Sequence, residues 1–120
     1  MRRHKLVIVD DNEPLVSVVV EFFEMQGYEA VGLVGISHLD ELAKLAPDLV
    51  VLDWNMPKLS GHEIVDGMRK SEVLGSVPVI VVSAKLKDRE QIAGVNTVLS
   101  KPFQLTDLMQ VVTALLNSEG

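Results

Sequence analysis

The sequence predicts an α/β fold built on an open, doubly wound sheet of five parallel strands. Apolar runs alternate along the chain with stretches whose apolar residues recur at helical spacing, which is typical of repeated βα units. The runs LVVL (residues 49–52) and VIVV (residues 79–82) are apolar throughout. Such runs indicate strands that are covered by helices on both faces of a parallel sheet. We therefore expect a (βα)5 arrangement.

Each apolar run is assigned to one strand. The predicted strands are residues 5–9, 28–34, 48–53, 77–84 and 95–100. Pro78 is expected at the start of its strand, where a missing backbone N–H costs no ladder hydrogen bond.

Five helices are expected after these strands. Pro14 fits the first turn of the first helix, which Gly27 ends. Ser37 is expected to cap a short second helix, and Ser60 with Glu63 forms a capping-box pattern that begins the third. The fourth helix, Lys87 to Ala93, is short and weakly patterned. The fifth has the clearest apolar stripe: Leu105, Leu108, Met109, Val112, Leu115 and Leu116.

Length and composition limit the classes of function. The 120 residues fit one domain, residues 1–120, with an aliphatic core, because 48% of residues are hydrophobic and only 4% are aromatic. The absence of cysteine excludes a disulfide scaffold and suits the cytoplasm. No apolar run approaches the roughly 18 residues of a membrane span, and the N-terminal run is too short for a signal peptide. The net charge of −6 argues against direct nucleic-acid binding.

Polar residues follow four of the predicted strands. Asp10 and Asp11 end the first, Asp53 the third, Ser83 the fourth, and Lys101 follows the fifth. In open α/β sheets, ligands bind outside the carboxyl ends of the strands. We therefore expect these side chains to share one edge of the sheet.

This set of side chains suits phosphoryl transfer. Three crowded carboxylates repel one another, and Mg²⁺, which prefers oxygen ligands, removes that conflict. A carboxylate can attack phosphorus to give an aspartyl phosphate, while a lysine and a hydroxyl group hold the phosphoryl oxygens. Since phosphoryl transfer depends mainly on positioning and charge neutralisation, few groups suffice.

Each residue also has a structural interpretation. Asp11 could cap the first helix, Asp53 could cap a turn, and Lys101 with Pro102 could form a surface turn. Ser83 alone is uninformative. The shared position at the ends of different strands is what favours a functional site.

Four motifs, in order along the chain, resemble the receiver domain of two-component response regulators. They are VIVDDNEP, VVLDWNMPKLSG, VIVVSA and LSKPF, and DWNMP in particular is similar to the chemotaxis response regulators. The resemblance covers essentially the whole chain. It implies a flavodoxin-like strand order, 2-1-3-4-5, with helices on both faces of the sheet.

The resemblance also implies a role for each site residue. Asp53 matches the phosphoacceptor. Asp10 and Asp11 match the acidic pair that holds Mg²⁺, for which Mn²⁺ can substitute, and Asn55 matches the residue whose backbone carbonyl completes the metal site.

The remaining motif positions concern the phosphoryl group. Ser83 matches the hydroxyl residue that contacts it and moves on activation, and Lys101 matches the lysine that pairs with it. In the family the peptide bond before the residue matching Pro102 is cis. Ala84 resembles the small residue of receivers whose phosphate is reachable by water.

The function implied is that of a phosphorylation-dependent switch rather than an enzyme with a separate substrate. It would accept its phosphoryl group from a phosphohistidine on a sensor histidine kinase or a histidine phosphotransfer protein, and lose it by slow hydrolysis. Output to a downstream protein or a fused output domain would pass through the face formed by the fourth helix, the fifth strand and the fifth helix.

Two departures affect how such a switch signals. Val98 stands where receivers usually carry Tyr or Phe, and residues 83–94 are about one helical turn shorter than usual. Both features leave open an adaptor whose output does not depend on phosphorylation.

A phosphatase is a further alternative. VVLDWN resembles the D-x-D motif of haloacid-dehalogenase-type phosphatases, but Asn55 replaces the second Asp, and that motif belongs near a chain's start.

Overall fold

The computed structural model describes residues 3–118, which contain one sheet of five parallel strands. The strands are β1 (Lys5–Asp10), β2 (Glu29–Val34), β3 (Leu49–Asp53), β4 (Val79–Ser83) and β5 (Thr97–Ser100). Their spatial order is β2-β1-β3-β4-β5, and every neighbouring pair is parallel. The predicted sheet and strand order are confirmed.

Four helices form within the described residues. They are α1 (Glu13–Met25), α2 (Asp40–Ala43), α3 (Gly61–Lys70) and α4 (Leu105–Ser118), of which α4 is the predicted fifth helix. Within residues 3–118, no helix is both long enough and apolar enough to span a membrane.

Alternate residues of the strands pack against different helices. On β1, Leu6 and Ile8 belong to the apolar layer beneath α1 and α4, whereas Val7 and Val9 belong to the layer beneath α2 and α3. All five residues of β3 are buried. Successive side chains of a strand point to opposite faces, so the continuous apolar runs fill both layers.

The first two helices are not capped by the residues that the sequence suggested, Asp11 for α1 and Ser37 for α2. The cap of α1 is Asn12, whose side-chain oxygen accepts a hydrogen bond from the backbone N–H of Leu15, so Asp11 does not cap this helix. The prediction that Ser37 caps the second helix is wrong. The cap position of α2 is Leu39, and the N–H of Ser37 instead donates to the Glu41 carboxylate at 2.8 Å. By contrast, the Ser60–Glu63 capping box begins α3 as predicted.

The predicted fourth helix is absent. Residues 84–96, here called the β4–β5 connection, run as turns and bends between the two strands. Leu86, Ile92 and Val95 are not spaced as one helical face, and all three pack against the apolar layer beneath α2 and α3. The predicted output face therefore consists of this connection, β5 and α4, with no helix between β4 and β5.

Gly61 begins α3 against the backbone of the residue that follows β3. A Cβ at Gly61 would lie 2.7 Å from the Cα of Trp54 and 2.9 Å from its carbonyl oxygen, and the N–H of Gly61 donates to that oxygen at 3.0 Å. The start of α3 is thus packed directly on the loop after Asp53.

We predict that Gly61→Ala lowers the free energy of unfolding by about 1–3 kcal/mol, because an added methyl group meets backbone that cannot move independently. Gly67→Ala is the matched control on the same helix. Its Cβ would meet only the end of the Leu39 side chain, 3.0 Å away, and alanine has the better helix propensity. Urea unfolding measures both variants, and equal midpoints would contradict the prediction.

Candidate phosphoryl-transfer site

Three polar side chains are buried at the carboxyl edge of the sheet. Asp10 ends β1, Asp53 ends β3 and Ser83 ends β4, and their exposed fractions are 2%, 5% and 1%. The strand register aligns Val9 with Leu52 and Asp53 with Val82, so the tips of β1, β3 and β4 lie side by side. The structure thus brings these residues together where the sequence placed them.

Lys101 closes this edge from β5. Its Nζ lies 2.8 Å from Oδ2 of Asp10 and 3.6 Å from Oδ1 of Asp53. Its backbone N–H donates to the carbonyl of Ser83 at 2.8 Å, and the peptide bond between Lys101 and Pro102 is cis. One ammonium group therefore contacts two buried carboxylates.

Asp11 completes a group of three carboxylates. One oxygen each from Asp10, Asp11 and Asp53 lies within 4.8 Å of the others, and Asp11 is the exposed member. Three carboxylates against one lysine leave an excess of negative charge, and their oxygens are the donors that a hard divalent cation prefers. The residues present therefore fit Mg²⁺.

The electrostatics of the site act most strongly on Asp53. Burial and the neighbouring charge of Asp10 raise its pKa from 3.8 to about 6, against the opposing effects of Lys101 and of a hydrogen bond from the N–H of Asn55. That hydrogen bond is long, at 3.4 Å. Asp53 thus binds a proton more tightly than an ordinary aspartate when no cation is bound.

Ser83 is held by two hydrogen bonds at the edge of the site. Its Oγ donates to Oδ1 of Asn55 at 3.2 Å and accepts from the backbone N–H of Lys85 at 3.0 Å. The contact with the Asn55 side chain was not expected, because the resemblance concerns only the backbone carbonyl of that residue. Ala84 is exposed beside Ser83.

Val98 is completely buried in β5. Its side chain belongs to the apolar layer beneath α2 and α3, where Leu86 and Ile92 of the β4–β5 connection also pack. A valine has one side-chain dihedral and no ring, so this position offers no large side chain to exchange between the surface and the interior.

Comparison with known proteins gives a consistent family. The sequence model of the response regulator receiver domain family matches residues 6–113 of this chain. The chain is 28% identical over 120 residues to the phosphate regulon transcriptional regulatory protein PhoB of Pseudomonas aeruginosa, and 32% identical over 121 residues to the transcriptional regulatory protein PrrA of Mycobacterium tuberculosis. The matches cover 96% and 97% of this chain but 52% and 51% of those proteins. The chain therefore spans about half the length of these curated relatives.

Solved structures show the same fold. The receiver domain of the Francisella response regulator 1452 superposes with a TM-score of 0.82 at 25% identity, over 98% of this chain and all of that one. The receiver domain of the sensor histidine kinase PA1611 from Pseudomonas aeruginosa, solved with a magnesium ion coordinated in its active site cleft, gives a TM-score of 0.79 at 21% identity, over 97% of this chain and 99% of that one.

Receiver domains are signalling switches of two-component systems, and they pair with histidine kinases and with output domains. The family match spans nearly the whole chain, the strand order is that of the fold, and the acidic group lies at the strand ends. This chain belongs to the response regulator receiver domain family.

Proposed function

We propose that Asp53 accepts a phosphoryl group from the phosphohistidine of a sensor histidine kinase or a histidine phosphotransfer protein. The observation that carries this proposal is the position of Asp53, buried at the tip of β3 beside both Asp10 and Lys101. Asp10 can bind a cation on one side of Asp53, and Lys101 places an ammonium group on the other. With positive charge on both sides, the Asp53 carboxylate can approach an anionic phosphoryl donor without a large electrostatic cost.

Asp10, Asp11 and Asp53 would hold Mg²⁺ through their carboxylate oxygens, with the backbone carbonyl of Asn55 as a fourth ligand. The close approach of the three oxygens supports this assignment. When bound, the cation supplies positive charge that neutralises the phosphoryl oxygens and orients them for in-line transfer.

The transfer step needs only the side chain of Asp53 as nucleophile. A carboxylate oxygen attacks phosphorus while the P–N bond to the donor imidazole breaks, and the bonding electron pair leaves with the ring nitrogen. Lys101, already 3.6 Å from Asp53, pairs with a phosphoryl oxygen. Ser83 donates to another after it releases Asn55, its present acceptor.

Loss of the phosphoryl group reverses the change on Asp53. Water attacks phosphorus, the P–O bond to Asp53 breaks, and the electron pair returns to the carboxylate as inorganic phosphate leaves. The small side chain of Ala84, exposed beside Ser83, leaves room for that water.

The chain, as one receiver domain over residues 1–120, would act through a downstream protein or a fused output domain. Two relatives are named as transcriptional regulators and one structural neighbour is named as part of a sensor histidine kinase, so both arrangements occur among similar proteins. A kinase that draws its phosphoryl group from cytoplasmic ATP would place the domain in the cytoplasm. We expect no direct contact of this domain with nucleic acid or membrane, because its net charge of −6 does not favour binding to negatively charged surfaces.

An adaptor whose output does not depend on phosphorylation is the second candidate. It is favoured by the burial of Val98 and by the absence of a helix in the β4–β5 connection, which the structure describes throughout. In that case the site would be chemically competent but unconnected to the output surface.

Trp54 provides a direct test, since it follows Asp53 and its indole is only half-buried. We predict that its fluorescence changes with Mg²⁺ and again with acetyl phosphate, and that intact mass shows one added phosphoryl group. Asp53→Asn should abolish the response to acetyl phosphate and the mass increase, whereas the exposed Asp66→Asn should retain both. Steady release of product from phosphomonoesters would instead indicate a phosphatase, and an unmodified wild type would contradict the proposal.

The raised pKa of Asp53 also predicts how the free energy of unfolding depends on pH when a chelator keeps the site free of divalent cations. The folded state binds the proton more tightly than the unfolded state, so this stabilisation is present below about pH 4 and is lost as pH rises through about 6. At pH 8, Asp53→Asn should raise the free energy of unfolding by at most about 3 kcal/mol, the equivalent of two pKa units.

The difference between this variant and wild type should disappear towards pH 4. Asp66→Asn, at an exposed position paired with Lys70, should shift stability little at either pH. Denaturant titrations across this range measure the effect. A gain that grows on acidification would contradict the assigned pKa.

A further inference from the structure

The β4–β5 connection is hydrogen-bonded to the outer edge of β5. Oδ1 of Asp88 accepts from the backbone N–H of Ser100 at 2.8 Å and from its hydroxyl group at 3.3 Å. The backbone N–H of Arg89 donates to the carbonyl of Val98 at 2.8 Å. Because β5 is the last strand of the sheet, these bonds occupy backbone groups that no further strand would pair.

These contacts act directly on the backbone that carries Lys101. Ser100 is held on the outer side by Asp88, and the next residue, Lys101, is held on the inner side by its N–H bond to the Ser83 carbonyl. The ammonium group extends from this fixed point to Asp10 and Asp53. Asp88 lies outside the site, but its bond to Ser100 is one of the two hydrogen bonds that hold the backbone at Ser100 and Lys101.

The connection holds a strained conformation to make these bonds. Arg89 has a φ of 63°, in the left-handed region that a non-glycine residue seldom adopts. Such a conformation persists where surrounding contacts determine it, and here these are the bonds from residues 88 and 89 to β5. At its far end the connection is tied to α3, where Nε of Arg69 donates to the carbonyl of Gly94 at 2.9 Å.

We propose that Asp88 is a positioning residue for Lys101 and, through the same bonds, the link by which the phosphorylated site acts on the β4–β5 connection. This inference rests on the proposed phosphorylation of Asp53. We call the connection docked when the bonds of Asp88 and Arg89 to β5 are formed. If the docked connection favours the reactive position of Lys101, linkage requires the reverse effect as well. A phosphoryl group that holds Lys101 in that position then favours the docked connection by the same factor. The coupling needs no large side chain at Val98.

The test compares five variants for their rate of phosphorylation by acetyl phosphate with Mg²⁺. Asp88→Ala removes the acceptor for Ser100 and should react about threefold to tenfold more slowly, as expected for the loss of one or two modest hydrogen bonds. Asp88→Asn keeps an oxygen acceptor and should remain within about twofold of wild type. Glu90→Ala is the matched control, since it removes an acidic side chain of the same connection whose carboxylate accepts from the N–H of Lys87 rather than from β5.

The last two variants, Lys101→Ala alone and combined with Asp88→Ala, separate positioning of Lys101 from general loosening of the fold. In a Lys101→Ala background, Asp88→Ala should add no further slowing, because its effect passes through the lysine. Equal additional slowing in that background would overturn the proposal, as would an Asp88→Ala rate equal to wild type. These outcomes differ from failure of the proposed function, in which wild type itself would not be phosphorylated.

Amide hydrogen exchange tests the reverse direction of the coupling. Phosphorylation of wild type should slow exchange at Arg89 and Ser100, and the same treatment of Asp88→Ala should leave Arg89 unchanged. If phosphorylated wild type exchanges at both amides as fast as the unmodified protein does, the link to the connection is contradicted even when phosphorylation itself succeeds.

Discussion

The buried pair of Asp10 and Asp53 is the constraint on which the rest of the site depends. Two carboxylates at neighbouring strand tips, with Asp11 close by, face a single ammonium group from Lys101. Burial and the neighbouring charge of Asp10 raise the pKa of Asp53 to about 6, so the metal-free site holds a proton more tightly than an ordinary aspartate does, although the chemistry needs a bare carboxylate. A divalent cation and then a phosphoryl group each relieve part of this imbalance, which is why the site suits both.

The parallel sheet provides the rigidity that such a pair requires. Apolar layers on both faces fix the strands, and the start of α3 at Gly61 packs on the loop that follows Asp53. The β4–β5 connection is held differently, since it forms no helix. Its Asp88 side chain and Arg89 N–H instead make hydrogen bonds to the backbone at the edge of β5. Besides the packing of Leu86, Ile92 and Val95, the connection is therefore held to β5 by a few polar contacts, and segments held in this way open at a lower free energy than the core strands do.

The sequence predicted the sheet and the edge that carries the site, because long apolar runs and strand-end carboxylates are properties of single segments. The strand order was implied by the resemblance to receiver domains. The prediction failed for the segment around Asp88, where sparse apolar residues suggested a short helix and the observed bonds join residues distant along the chain. No local pattern indicates that Asp88 accepts from Ser100, or that Arg69 reaches Gly94. Asn12 was also not identified from the sequence as the cap of α1, because only Asp11, a residue type that suits the same position, was considered.

Locating the phosphoryl group on the chain tests whether Asp53 is the phosphoacceptor. After reaction with a phosphorylated histidine kinase and Mg²⁺, reduction by borohydride converts an aspartyl phosphate to homoserine, and peptide mass mapping identifies its position. We predict homoserine at position 53 alone, with none formed when Mg²⁺ is removed by a chelator. Homoserine at Asp10 or Asp11, or a phosphoryl group on a residue away from the carboxyl edge of the sheet, would contradict it.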